Sequence, residues 1–197
     1  YAYWVDDGRH LDLQSKGTWM VDFWLKLNSK AAGEYSYPIK WAPESDPELF
    51  PANADRAWGL QWLNSTGFIW LLQDDSANKL ILGHTFTDNA TGVWNRFTLT
   101  SDGTWIRFYV NGNFGSRGAA SWWTANGTQD PGDFRLILGA GDGEGDNHDC
   151  DMNIDELRIL VGDAAAREYA ALHEHENSPG GDINPRFQQY NNLSIFP

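Results

Sequence analysis

From Thr18 to Asn28 the chain alternates apolar and polar positions without a break. Trp19, Val21, Phe23, Leu25 and Leu27 fall on one side; Met20, Asp22, Trp24, Lys26 and Asn28 fall on the other. Strand side chains point alternately to opposite faces, so this period of two predicts a half-buried antiparallel strand. The stretch Trp94 to Phe114, WNRFTLTSDGTWIRFYVNGNF, carries the same pattern twice. Phe97 and Leu99 alternate with polar residues. Ser101-Asp102-Gly103 then reads as a turn, because glycine tolerates positive φ and aspartate bonds its own backbone. Beyond it, Ile106, Phe108 and Val110 point one way, and Trp105, Arg107 and Tyr109 the other. Asn111-Gly112 closes the segment with a strong hairpin signal. A hairpin with one apolar face requires a second sheet to cover it.

The remaining segments supply that sheet. Residues 1–13 hold a short first strand, with Asp6-Asp7-Gly8 as its turn. A strand over Tyr37–Trp41 precedes a long proline-bearing loop, and strands are predicted over Ala57–Trp62, Gly67–Gln73 and Lys79–Phe86. Phe68 to Leu72 is apolar on both faces, which places that strand in a sheet interior. Gly115 to Asp133 reads as a loop, with Trp122-Trp123 as an exposed contact. Phe134–Gly139 is a strand, and a Gly/Asp loop runs from Ala140 to Asp151. In the last strand the apolar spacing slips between Ile154 and Leu157, the mark of a β-bulge at Asp155-Glu156. A short helix is predicted over Asp163–His173, with Asp163 as its N-cap.

The fold expected is therefore all-β: a two-sheet antiparallel jelly-roll β-sandwich with one short C-terminal helix. The sandwich is assigned to residues 1–176 and an extended tail to 177–197. The tail has no period of 2 or 3.6, yet it holds Ile183, Phe187, Tyr190, Leu193, Ile195 and Phe196, too much apolar surface for a solvated linker. It is expected to dock in extended form on a sheet face, its own or a neighbour's, giving a route to assembly.

Three stretches carry a resemblance. GRHLDL followed by WMVDFWLKL, then the central hairpin with its DG turn and IRFYVNG strand, then FRLILG, NIDELRIL and AAAREYAAL occur in this order between Gly8 and Leu172. They resemble the opening strands, central hairpin and closing strands of laminin G-like domains in the concanavalin A-like lectin/glucanase superfamily. The resemblance implies the sandwich. It leaves function open, because one fold hosts many activities.

The chain's 197 residues suffice for one domain with a real core. Its 14 basic and 27 acidic residues give a net charge of −13. Nucleic acid is thereby excluded as a partner, since phosphate backbones need clustered cations. No apolar run reaches the roughly 18 residues a membrane helix requires, so no membrane insertion is expected. Cys150 is the only cysteine, which leaves stability to the core and reads as a buried, inert thiol. The chain begins at Tyr1 rather than Met, as a processed chain or a piece of a longer one would. Asn64, Asn89, Asn126 and Asn192 each begin a glycosylation sequon, compatible with secretion.

Glu44-Ser-Asp-Pro-Glu48 imitates the paired-carboxylate strand of retaining glucanases, whose acid and nucleophile share one face. Pro47 breaks the strand that such a triplet needs, so it is not read as catalytic. Without another such pair, a non-catalytic chain is expected. The acidic run from Asp142 to Asp155, bent by Gly141, Gly143 and Gly145, offers hard oxygen ligands and suits calcium, with Asp142, Asp146, Asp149 and Asp155 as candidate ligands. Its spacing is not that of an EF-hand, and the alternative is a solvated acidic loop. Laminin G-like relatives often bind calcium at loop-end aspartates, which favours the metal. His148, His173 and His175 lack zinc geometry.

Sugars stack their apolar ring faces on aromatics while acids and amides take the hydroxyls. Asp22, Trp24 and Lys26 share one strand face, and Trp105, Arg107 and Tyr109 share another; these six are the candidate carbohydrate-binding residues. The competing reading makes the rings a second, covered layer. The expected role is a non-catalytic extracellular carbohydrate-binding or adhesion module at a cell surface or on a virion, with a glycan or a neighbouring surface protein as partner. A structural domain of a virion, fibre or appendage is the alternative, and a glucanase or polysaccharide lyase the second.

Overall fold

The alternation at residues 18–28 becomes a twelve-residue strand, β2 (Thr18–Ser29), whose five odd-numbered apolar side chains are all at most 2% exposed. The computed structural model describes residues 2–6, 11–29, 36–43, 57–64, 67–73, 79–85, 91–123, 134–141 and 150–168. The other strands are β1 (Ala2–Asp6), β3 (Ser36–Pro43), β4 (Ala57–Asn64), β5 (Gly67–Gln73), β6 (Lys79–Thr85), β7 (Trp94–Asp102), β8 (Trp105–Val110), β9 (Asn113–Ala119), β10 (Phe134–Gly141) and β11 (Asp151–Val161). They form a six-stranded sheet in the order β1-β10-β3-β4-β5-β6 and a five-stranded sheet in the order β11-β2-β7-β8-β9. Every pairing within them is antiparallel. The expected two-sheet sandwich is the fold observed.

Aromatic rings hold the two sheets together. Phe23 of β2 stacks on Phe97 of β7 at 5.9 Å, and Phe97 on Phe108 of β8 at 6.2 Å. Trp70 of β5 reaches across from the other sheet and meets Phe23 and Phe108 edge-on, at 6.2 and 6.3 Å. Each such ring removes a large apolar area from water, worth about 1.5–3 kcal/mol apiece. The one polar atom of the buried Trp58 ring is satisfied, its Nε1 donating to the Leu11 carbonyl at 2.9 Å. β5 is apolar on both faces because it has two jobs. Trp70 and Leu72 join the main core, while Leu71 packs with Tyr37, Ala42 and Ala57 on the far side of its sheet.

Two turns and the bulge match the sequence reading. Asp102 Oδ1 accepts from the amides of Thr104 and Trp105, both at 2.7 Å, and Gly103 sits at φ +84°. At the β8–β9 turn Asn111 and Gly112 both have positive φ, 52° and 78°, the backbone that Asn-Gly favours in two-residue hairpins. The β11–β2 register shifts between Asp155 and Arg158, with Glu156 at φ 51°. Cys150 is buried and in no disulfide.

Three expectations are corrected. Residues 115–119, read as loop, belong to the edge strand β9 (Asn113–Ala119); its glycines hid it, as no hydrophobic alternation survives there. Trp123, read as an exposed contact, is 4% exposed and meets Trp19 edge-on at 5.9 Å in the core. The helix, described over residues 163–168, is capped one residue earlier than expected, the Gly162 carbonyl accepting from Ala166 at 3.0 Å. β6 covers Lys79–Thr85 of the strand read to Phe86, and Phe86 itself lies outside the described residues. The Asp6-Asp7-Gly8 turn beyond Asp6, the carboxylates at 44–48, His148, His173, His175 and the tail 177–197 lie outside the described residues.

Candidate functional site

Register decides which side chains share the outer face of the five-stranded sheet. Across β2 and β7, Asp22 pairs with Thr98, Trp24 with Arg96 and Lys26 with Trp94. Across β7 and β8, Thr98 pairs with Tyr109 and Thr100 with Arg107. Beyond these, Arg107 pairs with Arg117 of β9, and on the other flank Asn153 pairs with Lys26 and Asp155 with Trp24. All six residues read as carbohydrate candidates therefore stand on one continuous face, although they come from two separate stretches of sequence.

That face has a closed centre. Asp22 is 2% exposed. Its carboxylate accepts from Arg96 Nε at 2.9 Å and Nη2 at 2.8 Å, from the Thr98 hydroxyl at 2.7 Å, and from the guanidinium of Arg158. Burial alone would push this carboxyl up. The hydrogen bonds and charges of Arg96 and Arg158, with the Thr98 hydroxyl, outweigh it and hold Asp22 below its ordinary 3.8. A carboxylate so fully engaged has no lone pair to spare for a ligand. Its role is to lock β2, β7 and β11 together beneath the surface. The bulge at Asp155-Glu156 contributes, because the extra residue brings Arg158 into register with Asp22.

On the β8–β9 side the aromatics are occupied. Tyr109 is 1% exposed and meets Phe114 edge-on at 5.9 Å. Arg107 is buried, with its Nη1 donating to Asp102 Oδ2 at 2.8 Å. Trp105 is half-buried, but the Arg117 guanidinium lies over its ring, 4.6 Å from the centroid. A cation–π contact of this kind takes the face that a sugar would need.

The β11–β2–β7 side is open. Trp94 is 44% exposed, while Trp24 and Lys26 are half-buried. Around them stand Asn28, Asn153 and Asp155, all exposed, with Asn28 Nδ2 donating to Oδ1 of Asp151 and of Asn153 at 3.1 Å each. Two indoles, a lysine, two amides and a carboxylate form an aromatic-polar platform. Trp94 and its neighbour Asn153 were missed in the sequence, though the signal was present. The alternation that buries Phe97 and Leu99 places Trp94 and Arg96 on the outer face.

Of the four calcium candidates, Asp142, Asp146 and Asp149 lie outside the described residues. Asp155 is exposed at the bulge, where its Oδ1 accepts from the Glu156 amide at 2.8 Å. Among the described residues no three His, Cys, Asp or Glu side chains are grouped to hold a metal. Nor is any described helix long and apolar enough to cross a membrane.

Comparison with known proteins agrees with the fold. A laminin G-type family model of the concanavalin A-like lectin/glucanases superfamily matches residues 5–163. No curated protein matches the chain in sequence. Among solved structures, the receptor-binding domain of botulinum neurotoxin mosaic serotype C/D is similar with a TM-score of 0.55 at 16% identity, over 84% of this chain and 38% of that one. The serotype D ligand-binding domain, solved with N-acetylneuraminic acid, gives 0.53 at 16% identity, over 80% and 36%. The binding domain of Paraclostridial Mosquitocidal Protein 1 gives 0.52 at 12% identity, over 82% and 38%. The chain thus spans little more than a third of these neighbours, and at such identities the likeness shows the fold alone.

Proposed function

The chain belongs to the concanavalin A-like lectin/glucanases superfamily, and from that premise we propose that it is a non-catalytic carbohydrate-binding module of a secreted or surface protein. The observation that carries the proposal is the open platform of Trp24, Lys26 and Trp94 beside Asn153 and Asp155. Indole faces stack on the apolar faces of sugar rings, and amides and carboxylates take the hydroxyls. Neighbours whose names describe receptor or ligand binding support a binding role at a surface. A glycan array followed by tryptophan-fluorescence titration tests it. A bound glycan quenches the emission, and Trp24→Ala removes that response while the variant melts near the parent temperature.

One observation favours a second reading, in which this face packs against a neighbouring surface protein. Asp22, Arg107 and Tyr109 are all buried although they stand on the outer face of the sheet. On this reading the array stays blank and the protein self-associates in sedimentation, with Trp24→Ala and Trp105→Ala lowering the melting temperature.

A further inference from the structure

We infer, resting on the carbohydrate reading above, that the ligand of this platform is a neutral oligosaccharide of at least two sugar rings, laid across β2 and β7 with one ring on Trp24 and another on Trp94. Geometry sets the length. Trp24 pairs with Arg96 and Trp94 with Lys26, so the indoles occupy diagonal positions on adjacent strands, their β-carbons roughly 7 Å apart. A single pyranose stacked on one indole does not also cover the other. A chain that crosses the strands does. Trp105 offers no third ring, since Arg117 covers it.

Charge sets the class. The whole chain carries −13, and such a field repels anionic glycans before they dock. The local cations do not reverse this. Arg96 and Arg158 are both committed to the buried Asp22 carboxylate. Among the described residues Lys26 is the remaining cation of the open end, and Asp155 and Asp151 stand on the adjacent strand β11, paired with Trp24 and Ser29. Among the described residues the three cations Arg96, Arg158 and Lys26 are matched by the three carboxylates of Asp22, Asp151 and Asp155, which leaves no surplus positive charge for a sialyl, uronate or sulfate group. Exposed Asn28, Asn153 and Asp155 suit hydroxyls instead. The inference thus parts from the neighbour solved with N-acetylneuraminic acid, an anionic sugar.

The test is a fluorescence and calorimetric titration of the intact chain. The neutral probes are gluco-, manno- and chito-oligosaccharides of one to six rings; the anionic probes are sialyllactose and a heparin hexasaccharide. Expected is an affinity that climbs steeply from one ring to three in at least one neutral series and barely changes with salt. Trp24→Ala and Trp94→Ala should each weaken the tetrasaccharide roughly tenfold, the equivalent of one lost stacking contact. Trp24→Phe, which keeps a ring, should retain most of the binding and serves if the alanine variant unfolds. Preference for an anionic probe, a monosaccharide bound as tightly as a tetrasaccharide, or Trp94→Ala without effect would each overturn this inference while leaving a glycan-binding module standing. Failure of every probe in both arms would overturn the carbohydrate reading itself.

Discussion

Asp22 grips Arg96 at two points, Oδ1 to Nε at 2.9 Å and Oδ2 to Nη2 at 2.8 Å, although the two residues start from diagonal positions on neighbouring strands. Arg96 is itself buried at 7% exposure. Removing the carboxylate strands that guanidinium without its counter-charge. Asp22→Asn should therefore destabilise the fold by about 3–5 kcal/mol at neutral pH, read from urea denaturation. A loss below about 1 kcal/mol would mean the cluster is solvated. The pH dependence has a definite sign. A depressed carboxylate contributes stability above its unfolded value near 3.8 and loses it as pH falls through the lower folded value. The parent should lose melting temperature steeply in that acid range, and Asp22→Asn should show a shallower acid limb.

Phe108 is fully buried, stacked on Phe97 and touched edge-on by Trp70 and His84. Truncation removes contacts to both sheets at once, and rings on three sides resist collapse into the gap. Phe108→Ala should cost about 3–5 kcal/mol in the same assay. A cost under about 1 kcal/mol would reverse the assignment of inner and outer faces.

Legibility in this chain follows from the range of the information each feature needs. The inner face of β2 needs only its own alternation, and all five predicted residues are buried. The bulge at Asp155-Glu156 is visible as a slipped period. The Asp22 cluster was not legible, because Arg96 and Arg158 lie 74 and 136 residues away and only register brings them in. For the same reason alternation places Arg107 and Tyr109 on an outer face without saying that they are buried there. β9 failed for the opposite cause. Its glycines are chosen by what crosses the sandwich, and they erase the local pattern. Of the candidate face, the sequence revealed the two triplets Asp22-Trp24-Lys26 and Trp105-Arg107-Tyr109, but not that register joins them into one face or that Arg117 covers Trp105.

His84 sits half-buried on β6, its ring edge-on to Phe108, and burial pushes its pKa below 6.5. The unfolded chain therefore takes up this proton more readily than the folded one. That costs nothing above pH 6.5, and stability falls as pH drops below 6.5 through the folded value. Melting curves between pH 7.5 and 5 should show the decline, and His84→Gln should flatten it. An unchanged slope in the variant would assign the decline to other groups.

Calcium remains a proposal that rests on the acidic run and on Asp155 at the bulge. An ion that binds only the folded chain stabilises it by mass action. Millimolar calcium should raise the melting temperature and chelator should lower it, with Asp155→Asn reducing the difference. Identical melts in the two conditions retire the site.

The closure of the sandwich between its edge strands β6 and β9 is the last point open to measurement. Gly118 of β9 faces Leu80 of β6 so closely that an added β-carbon would lie 2.5 Å from Leu80 Cδ1, 3.2 Å from Cδ2 and 3.3 Å from Cγ. No real carbon tolerates the first of these distances, so either the leucine changes rotamer or the strands part. Leu80 is 7% exposed within the main core, which leaves its side chain little room to turn. Gly118→Ala should then destabilise by about 1–3 kcal/mol through overpacking, even though alanine normally suits a strand better than glycine. Leu80→Ala alone should cost about 2–5 kcal/mol by leaving a cavity. Combined, the two changes should cost less than their sum by at least about 0.5 kcal/mol, because the alanine at 118 enters space that the leucine has vacated. Strict additivity in that double-mutant cycle would show that the glycine is not there to admit Leu80, and that the edge strands are held together elsewhere.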